Sequence, residues 1–212
     1  MNALRKIAVL TGDLVGSGQI GPDRVDRAFR ALEACAAAQE RWMRAPLSFT
    51  RHRGDGWQVV LARPELALRS ALAFRAALRA EGDEFDSYMS IAEGPAPDTI
   101  NPDLNRHTEE VFVRSGQGLD DLKAFRLPGR IRHDSLGAIG AATILADRLS
   151  QGWTQTQAVA ILPTLAPDHD GTYTDIAKRL GKSRQAVTKS LAAAAHETLD
   201  AALATLEGNA RT

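Results

Sequence analysis

The chain has 212 residues, a single cysteine (Cys35) and no continuous apolar run of about 18 residues. One cysteine excludes the internal disulfide framework on which small secreted domains depend. The missing apolar run predicts that no helix crosses a membrane, and the first residues lack the pattern of a signal peptide. We therefore expect a cytoplasmic protein with no membrane partner.

The chain also has no net charge, because 26 Lys and Arg residues balance 26 Asp and Glu residues. This balance excludes a uniformly basic surface of the kind that coats nucleic acid, although basic residues can still be concentrated locally. Hydrophobic residues make up 44% of the chain and charged residues 25%. This composition is typical of a globular protein with one large domain or two small ones.

Short apolar runs and amphipathic stretches alternate over the first 92 residues. The pattern predicts strands at Ile7–Leu10 and Tyr88–Ala92, a hairpin over residues 47–61, and helices starting at Pro22 and at Pro64. The resulting order, β-α-β-β-α-β, is that of a ferredoxin-like fold. We therefore predict an α+β, palm- or cyclase-type antiparallel sheet with helices on one face.

The pattern changes in the second half of the chain. Glu110–Val113 is interpreted as one more strand, and Gly118–Leu122 as the start of a helix. From Ser135 onward strand-like alternation stops, and alanine and leucine dominate segments separated by glycine and proline. We predict a ferredoxin-like domain over residues 1–133 and an all-α helix-turn-helix domain over residues 134–212.

A Gly-x-Gly-x-x-Gly motif occupies residues 16–21. In a dinucleotide-binding fold, the first glycine follows the strand directly and the next strand belongs to a parallel unit. Here Gly12 and Asp13 intervene after the strand, and the next strand enters a hairpin. The motif is therefore not interpreted as a dinucleotide site.

Two aspartates carry the strongest indication of a site in the N-terminal half. Asp13 follows the first strand and Asp55 lies in the turn of the hairpin, and these two elements are neighbours in a ferredoxin-like sheet. Converging carboxylates can bind Mg²⁺, and nearby loop amides can bind phosphate. Aspartate is also common in turns for local reasons, so turn chemistry stays open as an alternative. The predicted ligand-binding residues are Gly12, Gly16, Ser17, Gly18, Gly54 and Gly56.

The segments that start with Ile7-Ala-Val-Leu-Thr-Gly-Asp-Leu-Val-Gly-Ser17 and Arg53-Gly-Asp-Gly-Trp-Gln58 resemble the SatD family of bacterial proteins. The resemblance covers most of the chain, including the C-terminal helical region. Gly54-Asp55-Gly56 is also similar, more distantly, to the hairpin of class III nucleotidyl cyclases, in which paired aspartates bind two metal ions. This similarity implies that Asp13 and Asp55 are metal ligands. A counterpart of the Asn/Arg pair of those cyclases is not found.

A second candidate site lies near the C-terminus. Residues 172–190 contain five basic side chains against one acidic side chain, in a short helix, a turn at Gly181 and a second helix that Ser183 caps. The pattern is typical of a helix-turn-helix, whose second helix enters the major groove of DNA. A hairpin that serves only packing or dimerisation stays open as an alternative. The predicted DNA-binding residues are Lys182, Ser183, Arg184, Gln185, Thr188 and Lys189.

Together these features predict a bacterial DNA-binding regulator whose N-terminal domain senses a nucleotide-like ligand. The predicted partners are double-stranded DNA, that small molecule and a second copy of the chain, because helix-turn-helix proteins read paired half-sites. Mg²⁺ is the only cofactor predicted, since the five histidines show no zinc-binding spacing. Two alternatives are a metal-dependent nucleotidyl cyclase or transferase, and a catalytically inactive palm-fold interaction protein.

Overall fold

A computed structural model describes residues 4–52, 54–124 and 129–208. The strands are β1 (Leu4–Leu14), β2 (Phe49–Arg51), β3 (Gly56–Leu61), β4 (Ser87–Pro97) and β5 (Ile131–His133). The α-helices of these ranges are α1 (Ser17–Ile20), α2 (Pro22–Met43), α3 (Ala67–Glu81), α4 (Glu110–Ala124), α5 (Ala138–Gln151), α6 (Gln155–Ile161), α7 (Tyr173–Leu180), α8 (Arg184–Ala193) and α9 (His196–Leu206). The fold is therefore mixed α+β, as the sequence predicts.

One five-stranded sheet has the order β2-β3-β1-β4-β5. β1 pairs antiparallel with β3 and with β4, and β2 pairs antiparallel with β3. The predicted β-α-β-β-α-β order is present up to β4, and these four strands are compatible with a cyclase-like palm fold. The prediction of a fully antiparallel sheet is wrong, because β5 pairs with β4 in parallel.

Helices cover both faces of the sheet, so the prediction of helices on one face is wrong. Ala8 and Leu10 belong to the core formed with α2 and α3, whereas Ile7 and Val9 belong to a second core formed with α4. All four of these β1 side chains are fully buried. A strand covered on both faces is a continuous apolar run without alternation, which is the pattern of residues 7–10.

The strand predicted at Glu110–Val113 is also wrong, because these residues form the first turn of α4. The residues that α4 buries recur at helical spacing, and they are Val111, Phe112, Ser115, Gly118, Leu119 and Leu122. A run of only four β-branched and aromatic residues is too short to show whether its period is that of a strand or of a buried helix face.

Helix α3 lies between the sheet and the C-terminal helices. Thirteen of its 15 residues are buried, including Arg69, Arg75 and Arg79. Its outer side packs against α5 and α6, and the larger hydrophobic core includes residues of the sheet as well as Val187 and Leu199. The domain boundary after residue 133 stays a prediction. No helix in the described ranges is both long and apolar enough to span a membrane.

Candidate functional site

The structure brings Asp13 and Asp55 together at one end of the sheet. Asp13 lies opposite Gly56 in the β1–β3 ladder, and the amide of Leu14 donates to the carbonyl oxygen of Asp55 at 3.1 Å. The two carboxyl groups are within hydrogen-bonding reach of each other. The register of the sheet thus places two acidic groups side by side, although they are far apart in sequence.

The two carboxyl groups differ in their electrostatic environment. Burial raises the pKa of Asp13, and the neighbouring Asp55 raises it further, which outweighs the effect of Lys123. Burial also acts to raise the pKa of Asp55, but hydrogen bonds from Ser17 and Asp13 outweigh it, so the net shift is downward. Asp55 is therefore the group that holds its negative charge more firmly.

Lys123 is a site residue that sequence reasoning missed. Its ammonium group donates to Oδ2 of Asp13 from the last turn of α4, and this contact raises the pKa of Lys123. The Asp13 side chain is 14% exposed and that of Lys123 45% exposed. The contact was missed because the start of α4 was predicted as a strand. In addition, Lys123 lies 110 positions from Asp13 in the sequence, and no local motif indicates that the two are in contact.

A set of buried groups fixes the backbone beside Asp13. The hydroxyl of Ser87 lies 3.1 Å from the amide of Asp13 and 2.9 Å from its carbonyl oxygen, and it accepts a hydrogen bond from the indole of Trp57 at 3.0 Å. The Trp57 ring occupies the space in which a side chain on Gly12 would lie, since an added Cβ would meet Cε2 at 2.2 Å. Gly12 therefore packs against Trp57 and sets the close approach of β1 to β3.

The predicted ligand loop forms one side of an open surface cavity of about 430 Å³. Ser17, Gly18, Gly54 and Asp55 line it, together with the start of α2 at Gly21 and Pro22. Of the other predicted ligand residues, Gly12, Gly16 and Gly56 do not line it, although Gly16 adopts the left-handed conformation (φ 66°) that begins α1. The hydroxyl of Ser17 donates to Oδ2 of Asp55, which links the cavity to the carboxylate pair.

Arg51 supplies a positive charge at the rim of this cavity. Its guanidinium lies 2.9 Å from Asp26 and 3.9 Å from the centre of the Phe29 ring. The ring and the carboxylate hold the guanidinium in place beside the cavity. Arg53, which belongs to the same hairpin, lies outside the described residues.

The chemistry of the donor set fits a hard divalent cation. Among the described residues no group of three or more His, Cys, Asp or Glu side chains is arranged to hold a metal ion. Two carboxylates alone still suit Mg²⁺, which keeps several waters and takes further oxygen ligands from phosphates. Asp13 and Asp55 are the residues that would hold it. Lys123 supplies one positive charge against their two negative charges.

The second candidate site consists of α7, the turn at Gly181 and α8. Thr172 and Asp175 form a capping box at the start of α7, and Ser183 caps α8 through a 3.2 Å hydrogen bond from the amide of Ala186. At the turn, Gly181 is left-handed (φ 60°), and the amides of Gly181 and Lys182 donate to the carbonyls of Lys178 and Ala177. These bonds form a Schellman motif, which fixes the angle between the two helices.

The predicted DNA-binding side chains lie on the outer side of α8. All six are exposed, whereas Val187 and Leu191 are buried against the core. The hydroxyls of Ser183 and Thr188 bond to nearby backbone, the latter to the carbonyl of Arg184 at 3.0 Å. Within the described part of the chain, the side chains of Lys182, Arg184, Gln185 and Lys189 form no hydrogen bond or ion pair.

Comparison with known proteins gives structural neighbours but no family. No family model matches the chain, and no curated protein matches it. The crystal structure of the guanylyl cyclase Cya2 is similar to it with a TM-score of 0.36 and 15% sequence identity, over 55% of this chain and 70% of that one. SatD-family membership stays a prediction.

Proposed function

We propose that this chain is a cytoplasmic regulator that binds Mg²⁺ and a nucleotide-like phosphate ligand beside β1, and DNA through α8. The observation that carries the ligand site is the Asp13–Asp55 carboxylate pair, of which Asp55 lines a loop-bordered cavity. Turn chemistry accounts for each aspartate alone but not for their convergence. The ligand class is a phosphate ester or anhydride, because Mg²⁺ completes its coordination with phosphate oxygens.

The charges around the cavity support this ligand class. Two carboxylates and one ammonium leave a net negative charge, which a divalent cation offsets and reverses. The reversed charge then attracts an anionic group toward the cavity. Arg51, which pairs with Asp26, and the N-terminus of α2 at Gly21 and Pro22 border the same space, and a helix N-terminus favours phosphate. The groups around the cavity thus suit a divalent cation bound together with a phosphate better than they suit the cation or the phosphate alone.

A titration of the whole chain tests the ligand site. We expect Mn²⁺, followed by electron paramagnetic resonance, to bind the wild type and to bind more tightly with a nucleoside triphosphate. Asp13→Asn and Asp55→Asn should each lose this binding, whereas Asp121→Asn, at an exposed pair with Arg132, should keep it. Saturable binding that both site variants retain would contradict the proposal. Consumption of the triphosphate would favour the cyclase or transferase alternative.

The exposed cations of α8 support the second part of the proposal. Basic side chains that have no acidic partner in the protein release counterions when they contact phosphates, and this favours binding to DNA. By this proposal the early residues of α8 read base edges, as those of a recognition helix do. This observation favours a DNA-binding regulator over a helical hairpin that serves only packing.

Binding to duplex DNA at several salt concentrations tests the α8 surface. Arg184→Ala and Lys189→Ala should each weaken binding and reduce the salt slope by about one counterion. Arg30→Ala provides a matched control, because Arg30 is also an exposed cation and lies on α2. If the wild type binds duplex DNA without salt dependence, or not at all, the DNA-binding part of the proposal is wrong. A chain that binds neither DNA nor metal fits the inactive palm-fold alternative.

A further inference from the structure

A second open surface cavity, of about 790 Å³, lies between α2 and the C-terminal helices. Its walls are α2, the end of α3, the segment from α6 to residue 170 and the last turn of α7. Its volume is in the range of pockets that take small molecules. Among the described residues, those that line it neither line the cavity beside Asp55 nor belong to the predicted DNA-binding set of α8. The two cavities are therefore separate.

Most of this lining is apolar. On α2, the exposed Ala34 and Ala38 and the buried Trp42 face the cavity, and the C-terminal half adds Leu162 and Leu180. Concave apolar walls with a few polar groups are typical of a small-molecule site. The walls thus favour a ligand with apolar groups, and the polar groups decide its class.

Four charges line the same cavity, two of each sign. Arg41 lies in the last turn of α2 and Arg179 in the last turn of α7, whereas Asp168 and Asp170 lie in the loop before α7. In the part of the chain that the structure describes, none of the four forms an ion pair. They therefore do not neutralise each other. A ligand that carries both signs can pair with both, whereas a ligand of one charge leaves two of the four unused.

His169 adds a hydrogen-bonding group between the two aspartates. It lines the cavity, and its Nε2 atom is buried without a hydrogen-bond partner among the described residues. A buried polar atom without a partner costs free energy, which a bonded ligand recovers. The neutral imidazole donates or accepts at Nε2 according to its tautomer, so it suits either the N–H or the C=O of an amide. The other acid of the lining, Glu81, already pairs with Arg27 at 2.5 Å.

We propose that this cavity binds a short apolar peptide with free termini. Its ammonium pairs with Asp168 and Asp170, its carboxylate with the two arginines, and its peptide bond with Nε2 of His169. A free amino acid carries both charges but no peptide bond. Two or three residues span about 7–11 Å when extended, which suits a cavity of this volume. This site does not depend on the ligand and DNA sites proposed above.

Isothermal titration of the whole chain with the dipeptide Leu-Phe, without metal or DNA, tests the ligand class. We expect a Kd of about 10 μM to 1 mM. N-acetyl-Leu-Phe lacks the ammonium and Leu-Phe amide lacks the carboxylate, so each should bind at least about tenfold more weakly. Free phenylalanine should bind more weakly as well. Equal affinity for the blocked dipeptides would overturn the zwitterionic class, and equal affinity for free phenylalanine would overturn the peptide.

Two double variants test which charges hold which end of the peptide. Asp168→Asn with Asp170→Asn should weaken binding of Leu-Phe about tenfold and leave that of N-acetyl-Leu-Phe unchanged, because the latter has no ammonium to lose. Arg41→Gln with Arg179→Gln should weaken Leu-Phe in the same way and leave Leu-Phe amide unchanged. A general loss of structure would weaken all three ligands together. Losses that do not depend on the blocked end would overturn the assignment.

A matched pair of alanine substitutions tests the location. Ala34→Phe places a large side chain in the cavity and should abolish binding of Leu-Phe. Ala37→Phe adds the same group at an exposed position of the same helix that does not line the cavity, and it should leave the affinity unchanged. Binding that Ala34→Phe retains would overturn the proposal, and so would a wild type that binds no Leu-Phe at millimolar concentration.

Discussion

Arg75 of α3 and Asp147 of α5 form an ion pair of 2.7 Å in which both side chains are almost fully buried. The same guanidinium lies 3.2 Å from Asp86, at the start of β4. Asp86 in turn accepts hydrogen bonds from Arg79 and Arg130. One buried network of charges therefore joins the sheet, α3 and the C-terminal helices.

Removing one member of this pair should strongly destabilise the protein. Asp147→Ala leaves the Arg75 guanidinium short of a buried partner, and we expect the free energy of unfolding to fall by about 3–5 kcal/mol. Asp121→Ala breaks an ion pair of similar length, 2.8 Å, that is exposed on both sides, and it should cost less than about 1 kcal/mol. Urea denaturation measures both values. Equal losses in the two variants would show that burial of the pair does not set its strength.

Acid should destabilise the protein partly through Asp86. Burial alone would raise the pKa of Asp86, but the charges of Arg75, Arg79 and Arg130 outweigh it and lower the pKa below 3.8. A lowered pKa in the folded state gives stability that is complete above the unfolded pKa and is lost as the pH falls through the folded pKa. In Asp86→Asn we expect a smaller loss of unfolding free energy per pH unit below about pH 4. Urea melts at several pH values give this slope, and an unchanged slope would contradict the prediction.

Asp13→Asn and Asp55→Asn should change stability in opposite directions at pH 7. The pKa of Asp13 is raised, so its ionised form costs free energy in the folded state, and asparagine removes that cost. The pKa of Asp55 is lowered, so its ionised form is favoured in the folded state, and asparagine loses that gain. Each change should stay below about 1 kcal/mol, because water reaches the pair. Thermal melts without divalent cations compare the two, and shifts of the same sign would disprove this assignment.

Lys123→Gln should raise the affinity of the chain for divalent cations. The Lys123 ammonium bonds to Oδ2 of Asp13, an oxygen that a cation would also need, so it competes for the same charge. We expect Mn²⁺ to bind about two- to tenfold more tightly in the variant, the range that a partly exposed ion pair supports. Lys6→Gln removes an ion pair with Glu93 and provides the control. Weaker binding in Lys123→Gln would mean that the lysine positions Asp13 instead.

Two glycine substitutions separate backbone strain from steric contact. An added Cβ at Gly181 or Gly116 would meet nothing within 4 Å, but only Gly181 has positive φ. Gly181→Ala should therefore lower the free energy of unfolding by about 1–2 kcal/mol. Gly116→Ala, inside α4, should raise it by about 0.5–1 kcal/mol. Chemical denaturation reports both, and a stabilising Gly181→Ala would mean that the α7–α8 turn is not fixed by its left-handed residue.

Local signals predicted much of this structure. The Ser183 cap, the Gly181 turn and the order of the first four strands follow from short-range chemistry that is visible in the sequence. The strand–hairpin register also brought Asp13 and Asp55 to one place. Contacts between distant elements could not be predicted from the sequence, because no local pattern around Lys123 or Asp147 indicates which residue it contacts. The prediction of a strand at the first turn of α4 was wrong for another reason, because a short apolar run does not distinguish a strand from a buried helix face.

The position of α3 between the two halves has a consequence during synthesis. Arg75 is added to the growing chain 72 residues before Asp147. At about 5–20 residues per second, the outer side of α3 lacks its final cover for roughly 4–14 seconds. In this interval the nascent chain presents the Arg75 guanidinium without its Asp147 partner, and an alanine-rich helix face, which gives chaperones a defined window for binding.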